Sequence, residues 1–514
     1  MAKVLVVGGA GYVGSATCAH LLDNGHFVWV LDDLSTGHRE LALGHGFTLA
    51  RAGDRERVSS LLKKHSFDCV MHFAAKSLVA ESVLKPQEYF ENNVEQTRIL
   101  LETMLESQVQ RFVFSSTCAI FGDVTVANPN AEFKIHEKLP KSPVNPYGET
   151  KLAVENMLEN LAISRGLQAV ALRYFNAAGA ESKNRVGEWH NPETHLIPNI
   201  LSAAINHKAI KVFGTDYPTS DGTCVRDYVH VTDLAQAHVS AMDRLCRKPK
   251  SEVCFEAFNL GSEHGYSVKE VVEKAAEVLG RAIQIEKQPR RAGDPPRLVA
   301  DSTLAKRELG FSPQAHSLDE IIATAWKWEQ KKMIPKKAVF LDRDGTINED
   351  PGYLNHPDQL HLLPEAGEAL GLLNQAGYQL IIVSNQSGVG RGLIDPKVLP
   401  QIHQKLDDLL QKNQVKILGY ELCLHRPEDN CECRKPKPKL LSDAAKRLNI
   451  DLSQSYMIGD KLTDLGAGRA AGCKAVALVL TGYGKDEQTK MQPQDADFIG
   501  SSVLDVAKWI VGNA

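Results

Sequence analysis

Gly8, Gly11 and Gly14 follow a short apolar run and open a stretch of helical character. Glycines in that place permit a tight turn and close approach of a pyrophosphate, whose charge a helix N-terminus stabilises. Asp32 ends the second apolar run, 18 positions beyond Gly14. A carboxylate there accepts hydrogen bonds from an adenosine ribose and repels a 2′-phosphate, which favours NAD over NADP. Tyr147 and Lys151 are four residues apart, so on a helix they share one face. A neighbouring ammonium and a bound nicotinamide cation would lower the phenol pKa from about 10 toward neutrality. Tyr147 could then take a hydroxyl proton while hydride leaves the same carbon. Ser115-Ser-Thr117 offers hydroxyls to relay that proton.

A second set of residues points to phosphorus. Asp342 and Asp344 end another apolar run in Phe340-Leu-Asp342-Arg-Asp344-Gly-Thr346. Two carboxylates so spaced can share one divalent cation, one attacking phosphorus while the other protonates the leaving oxygen. Gly459-Asp460-Lys461-x-x-Asp464 brings a third carboxylate, and oxygen ligands suit Mg²⁺. Ser384-Asn385-Gln386 offers a hydroxyl to phosphate, and Arg434-Lys435 offers cations. Just before them, Cys423, His425, Cys431 and Cys433 crowd one segment. Three thiolates and an imidazole complete a tetrahedral Zn²⁺ with no open position, so that metal would be structural. It would pin the loop so that Arg434 and Lys435 project into the site. The other seven cysteines read as packing residues.

Strands must position these groups. Val4–Val7, Phe27–Leu31, Cys69–Phe73, Arg111–Ser115 and Ala169–Tyr174 are short apolar runs, with a helix over Gly11–Asp23. Such alternation predicts an α/β fold with a doubly wound parallel sheet covered on both faces. The alternation restarts at Ala338–Leu341 and continues with Gln379–Val383, Lys416–Cys423, Tyr456–Ile458 and Ala475–Leu480. Between the two series lie a helix over Asp319–Glu329 and the basic, proline-containing stretch 330–337. The expected organisation is a domain over 1–332, a linker at 333–337 and a second domain over 338–514. Within the first, 1–175 would hold the dinucleotide and 176–330 the substrate. Modules of about 330 and about 180 residues are both plausible folding units.

The 514 residues hold 59 Lys+Arg against 63 Asp+Glu. That balance leaves no footprint for nucleic acid or an acidic membrane surface. No run is long enough to span a membrane, and the N-terminus lacks a cleavable leader pattern. The expectation is a cytoplasmic, reducing setting.

The Gly-x-x-Gly-x-x-Gly spacing and Tyr-x-x-x-Lys resemble the extended short-chain dehydrogenase/reductase superfamily. Residues 214–235, Arg173-Tyr-Phe-Asn-Ala-Ala-Gly179 and Arg290-Arg-Ala-Gly-Asp294 look like UDP-hexose 4-epimerases. That resemblance implies NAD-dependent epimerisation through a 4-keto intermediate, with Thr117 and Tyr147 as catalytic hydroxyls and Lys151 positioning Tyr147 and the cofactor. It implies cofactor contacts at Gly8, Gly11, Tyr12, Val13, Gly14, Asp32, Asp54, Phe73, Asn92 and Tyr174. Asn176, Phe213, Arg226, Arg291 and Asp294 fall at UDP-sugar positions, and a guanidinium binds diphosphate oxygens bidentately. Leu298 stands where some epimerases place a tyrosine, which hints at room for N-acetylhexosamines. A homodimer is a further expectation from the family. An ADP-heptose 6-epimerase, a nucleotide-sugar 4,6-dehydratase or a non-catalytic sensor remain alternatives.

From about residue 336 onward the chain resembles haloacid dehalogenase superfamily phosphatases. Asp342 is then the nucleophile and Asp344 the general acid and base. Asp342, Asp460 and the Asp344 carbonyl would hold Mg²⁺, while Ser384, Lys435 and Lys461 would neutralise the transferring phosphoryl group. Asn385 and Arg434 join the substrate set. The flanking text looks most like D-glycero-D-manno-heptose 1,7-bisphosphate phosphatases. The five-residue spacing between His425 and Cys431 occurs in histidinol-phosphate phosphatases, which keeps that substrate open. The substrates implied are thus a UDP-sugar and a sugar bisphosphate.

Overall fold

The computed structural model describes residues 1–124, 133–249, 252–291, 294–313 and 317–513. Ala292 and Gly293 of the Arg290–Asp294 motif lie outside the described residues. The chain divides into two compact units, Met1–Lys331 and Lys332–Ala514.

The first unit begins with β1 (Lys3–Val7), β2 (Phe27–Asp32), β3 (Gly46–Leu49), β4 (Cys69–His72), β5 (Arg111–Thr117) and β6 (Gln168–Tyr174). It continues with β7 (Asn176–Ala178), β8 (Ile210–Phe213), β9 (Val225–His230) and β10 (Cys254–Leu260). The main sheet has the order β10-β6-β5-β4-β1-β2-β3, and every neighbouring pair is parallel. β1 shows why the run is apolar throughout. Val4 and Val6 pack into one core cluster, Leu5 and Val7 into another on the opposite face. A strand alternates its side chains between faces, so a strand covered on both sides cannot spare a polar position. Smaller sheets join β9 to β7, β11 (Gly265–Ser267) and β13 (Arg297–Leu298), and β8 to β12 (Ile285–Gln288).

The second unit repeats the logic with β14 (Ala338–Leu341), β15 (Gln379–Asn385), β16 (Ile417–Cys423), β17 (Tyr456–Gly459), β18 (Ala475–Val479) and β19 (Phe498–Gly500). Its sheet order is β16-β15-β14-β17-β18-β19, again all parallel. Val339 and Leu341 fill one core, Ala338 and Phe340 the other.

The basic stretch read as a linker takes part in regular structure. The helix Leu318–Met333 takes in its first residues. Lys336 then bridges to Ile450, and its N–H donates to the Asn449 carbonyl at 2.8 Å. Among the described residues, no helix is long and apolar enough to cross a membrane.

The helix Pro146–Arg165 positions the Tyr–Lys pair. The Asn145 side chain caps its start by accepting from the Gly148 N–H, Pro146 sits in its first turn, and Gly166 ends it in the left-handed conformation; each is a favoured end signal. One turn beyond Lys151, Glu155 is fully buried. It accepts from Arg173 Nε at 2.9 Å and Nη2 at 2.6 Å, and from Ser116 Oγ at 2.6 Å. Removing one partner of a buried ion pair strands the other charge. Glu155→Leu should therefore destabilise the first unit by about 3–5 kcal/mol in urea unfolding. Glu155→Leu combined with Arg173→Met should recover much of that loss; a double variant no better than the single one would contradict the account.

Candidate active sites

A cavity of about 1160 Å³ opens in the first unit. The glycine loop forms one end of it. Gly8 has φ +82°, and a Cβ there would meet the Ala74 nitrogen at 2.3 Å. A Cβ on Gly14 would meet the Gly8 carbonyl oxygen at 2.2 Å. At Gly11 the nearest protein atom would be 3.4 Å away, so glycine there leaves cavity space open beside the N-terminus of helix Tyr12–Asp23. That cradle fits a dinucleotide pyrophosphate. Tyr12 and Val13 line it, and the Tyr12 hydroxyl donates to the Gly179 carbonyl at 2.6 Å.

Asp32 reaches the same cavity from the end of β2. Its two oxygens accept the Ala10 and Leu34 N–H groups, both at 2.9 Å. Burial nevertheless pushes its carboxyl up to about 6. Phe73, whose ring is tilted against His238 with centres 4.6 Å apart, and Asn92 also line the cavity. Asp54 has a local partner. Its carboxylate caps the helix Arg55–His65 by accepting from the Arg57 N–H at 3.1 Å, and it does not line the cavity. An aspartate just before a helix is a strong cap former.

Thr117, Tyr147, Lys151 and Tyr174 meet on one wall. Lys151 Nζ donates to the Ser115 carbonyl at 2.7 Å, and Ser115 Oγ lies 2.6 Å from the Tyr174 hydroxyl. The ammonium stands 6.0 Å from the Tyr147 ring centre. Burial lowers the Lys151 pKa to about 7, with Glu155 acting the other way. The lowered phenol expected above depends on added positive charge, and the fold itself works against it. Burial, then the neighbouring Tyr174, raises the Tyr147 phenol, and only the Thr117 hydrogen bond opposes them.

Asn176 on β7, Phe213 on β8 and Arg226 on β9 line the cavity's other side, with Arg291 and Asp294. The Arg291 guanidinium lies 4.1 Å above the Phe213 ring. Arg226 pairs with Asp294 and also donates to the Val225 carbonyl at 2.7 Å. Leu298 lines the cavity and lies in register with Arg226.

In the second unit, Asp342 follows β14 and Asp460 follows β17. With Asp464 they place carboxylate oxygens within 4.8 Å of one another. Lys435 Nζ sits between Asp342 and Asp464, 2.6 Å from each. Asp460 Oδ1 is buried without a partner, an orphan that fits a divalent cation. Burial, then Asp342, raises the Asp460 carboxyl to about 7. Asp464 was legible only as the last residue of its motif.

Asp344 is held apart from that cluster. Arg343 Nε and Nη2 grip its two oxygens at 2.9 and 2.7 Å. Asn348 and Gln386 each add a hydrogen bond at 2.9 Å. Burial pushes its pKa up, but Arg343 and these donors outweigh it and hold the carboxyl below its usual range. Sequence reasoning missed Arg343, Asn348 and Gln386 as its partners, although Arg343 lies inside the quoted motif. Gln386 also donates to Ser384 Oγ at 3.0 Å. Asn385 brackets the Lys435 backbone, accepting from its N–H at 3.1 Å and donating to its carbonyl at 3.2 Å. Arg434 Nη1 is buried without a partner. Lys461 instead leans on the Tyr483 ring at 4.4 Å and on Asp350 at 3.7 Å.

Cys423, His425, Cys431 and Cys433 converge, with neighbouring donor atoms 3.2–3.8 Å apart. Tetrahedral Zn²⁺ with these ligands has edges of roughly 3.6–3.8 Å, a few tenths of an ångström from the spacing seen, so the donor set fits the ion.

The comparisons agree with this division. The profile of the NAD dependent epimerase/dehydratase family matches residues 4–261, and one described as HAD-hydrolase-like matches residues 432–506. UDP-glucose 4-epimerase of Halalkalibacterium halodurans is 46% identical over 329 residues, 64% of this chain and 96% of that one. The Lactobacillus helveticus enzyme is 47% identical over 330 residues, 64% and 97% of the two chains. The Brucella ovis UDP-glucose 4-epimerase structure with NAD superposes with a TM-score of 0.60 at 43% identity, covering 64% of this chain and 98% of that one. A UDP-Glc/GlcNAc 4-epimerase from Campylobacter jejuni gives 0.55 at 36%, covering 64% and 100%. The chain belongs to the NAD dependent epimerase/dehydratase family, with a second unit of the haloacid dehalogenase kind following it in sequence.

Proposed function

We propose that the chain is bifunctional, interconverting C4 epimers of a UDP-hexose in its first unit and hydrolysing a sugar bisphosphate in its second. The observation that carries the first half is the meeting of Thr117, Tyr147 and Lys151 with the glycine loop in one cavity. When bound in this cavity, NAD would supply the hydride acceptor and donor for the sugar C4. Tyr147 removes the C4 hydroxyl proton and later restores it, with Thr117 sharing that proton. Since burial and the neighbouring Tyr174 raise the phenol, the fall in its pKa is assigned to positive charge, from the bound cofactor with Lys151 beside it. Arg226 and Arg291 supply guanidinium charge for the diphosphate. Leu298 lines the cavity and its modest size supports acceptance of N-acetylated hexoses, besides UDP-glucose and UDP-galactose.

In the second unit Asp342 attacks phosphorus and becomes the aspartyl-phosphate. Asp342 and Asp460, with Asp464 beside them, would hold Mg²⁺, which when bound offsets charge on the transferring phosphoryl group. Lys435 and Arg434 face the same charge. Asp344 first protonates the leaving oxygen and then activates water. Its low pKa favours the second task; the first needs release from Arg343. Zn²⁺ on Cys423, His425, Cys431 and Cys433 would fix the loop that carries Arg434 and Lys435. We take D-glycero-D-manno-heptose 1,7-bisphosphate as the substrate, on the sequence around Asp342 and Asn385. The short zinc-loop spacing favours histidinol phosphate as a second reading. Phosphate release from a panel holding both compounds, with Mg²⁺, separates them: selective turnover of histidinol phosphate would overturn the heptose assignment.

Tyr147→Phe should cut epimerisation by roughly 10²–10⁴-fold and leave phosphate release unchanged, while Asp342→Asn should do the reverse. If either variant silenced both activities in paired assays, the two sites would not be independent. Lys435→Met tests the buried ion pairs. Burial already lifts the Asp464 carboxyl to about 6, and the Lys435 ammonium is what holds it down. Without that ammonium the folded-state pKa rises further above the unfolded value of about 3.9. Stability is then lost as pH climbs from about 4 through the raised pKa. Unfolding titrations should therefore show Lys435→Met destabilised by about 3–5 kcal/mol at pH 8 and markedly less at pH 5; an equal loss at both would refute the charge explanation.

A further inference from the structure

Among the described residues, three groups of metal-ligating side chains bring their donor atoms within 4.8 Å of one another. Two are the Cys–His loop and the Asp342 cluster. The third is Glu188, His190, Glu193 and His195, in the first unit. The reaction proposed above gives it no task. It resembles neither an acidic patch nor a surface ion pair. Glu188 is buried, only 5% exposed, and it lies at the centre of the group. His190 Nδ1 is 3.2 Å from Glu188 Oε1 and 3.5 Å from Glu193 Oε1. His195 Nδ1 contacts the same Glu188 oxygen. A tetrahedral ion with bonds of 2.0–2.2 Å has donor–donor edges of about 3.3–3.6 Å; the Glu193 separation falls inside that range and the Glu188 one just short of it, while His195 and Glu188, in direct contact, would have to part to admit the ion.

The surroundings already orient the donors. Glu193 Oε1 accepts the Thr194 and His195 N–H groups at 2.8 and 2.9 Å. The Glu188 carbonyl accepts from Trp328 Nε1 at 2.8 Å. Trp189 stacks on His38 with ring centres 4.1 Å apart. Such outer contacts are what fixes metal ligands in place. The rings of His190 and His195 meet edge to face, 5.1 Å apart. As two imidazolium ions they would repel at that distance. As neutral ligands of one dication they would share its charge, and the net charge of the cluster would be the same as with two protons.

We infer that Glu188, His190, Glu193 and His195 form a structural site for a divalent transition metal of the Zn²⁺ class in the cavity wall. Two imidazoles with two carboxylates select borderline cations over Ca²⁺ or Mg²⁺. With all four donors on one eight-residue segment, the ion would pin that segment where it lines the cavity.

The test uses the full chain, stripped with a chelator, dialysed against Zn²⁺ in excess Mg²⁺ and assayed for zinc per chain. His190→Gln should hold one zinc fewer than the wild type. Cys433→Ser should lose a different one, and the combined variant should lose two. Equal zinc in wild type and His190→Gln would overturn the site and leave a proton-sharing cluster only. Should His190→Gln fold poorly, a second measurement decides. Co²⁺ added to Cys431→Ser/Cys433→Ser should give visible absorption of an imidazole–carboxylate complex that added Glu193→Gln weakens. No such band, or a band indifferent to Glu193→Gln, would overturn the proposal equally.

Discussion

Two parallel strands cannot be joined by a tight turn, so a crossover must carry the chain back before the next strand begins. Every strand of such a sheet therefore ends on one edge, and the loops there are free to hold chemistry. Both units use that edge. Asp32 closes β2, Thr117 closes β5 and Tyr174 closes β6. In the second unit Asp342 follows β14, Asp460 follows β17, and Cys423 closes β16. Residues distant in sequence meet because the topology leaves their strand ends together.

The cost of this arrangement is charge removed from water. Lys151, Glu155, Arg173, Asp342, Lys435, Asp460 and Asp464 are all buried. Each finds a partner in the fold, save for one oxygen of Asp460. A buried charge with good partners is close to neutral for stability; one whose partner is lost is not. The first unit answers with Glu155 under the Tyr–Lys wall, the second with Lys435 between two carboxylates. Positioning and charge balance are the same interactions here.

Much of this was legible in the sequence. The apolar runs at β1, β2 and β14 gave a buried strand because both faces had to be covered, and the glycine spacing and the paired aspartates follow directly. β3, β10 and β19 escaped. All three are edge strands; Thr48 interrupts the apolar pattern of β3, Glu256 and Asn259 that of β10, and β19 is only three residues long. At Asp54 a helix cap and a cofactor contact call for the same residue type, and the cap is the use seen in the fold. The grip of Arg343 on Asp344 and the convergence of Glu188 with His195 depend on side-chain direction, which spacing along a loop does not encode. The raised Tyr147 phenol was equally hidden, since burial is a property of the fold and not of the motif.

The helix Pro146–Arg165 carries Tyr147, Lys151 and Glu155 at successive four-residue steps. One side chain faces the cavity wall, the next the Ser115 carbonyl, the third the Arg173 guanidinium. Each helical residue turns the chain by about 100°. A single inserted or deleted residue after Tyr147 would swing both later groups away together, while most substitutions on the opposite face would move neither. This stretch is consequently tolerant of changes in identity and intolerant of changes in length.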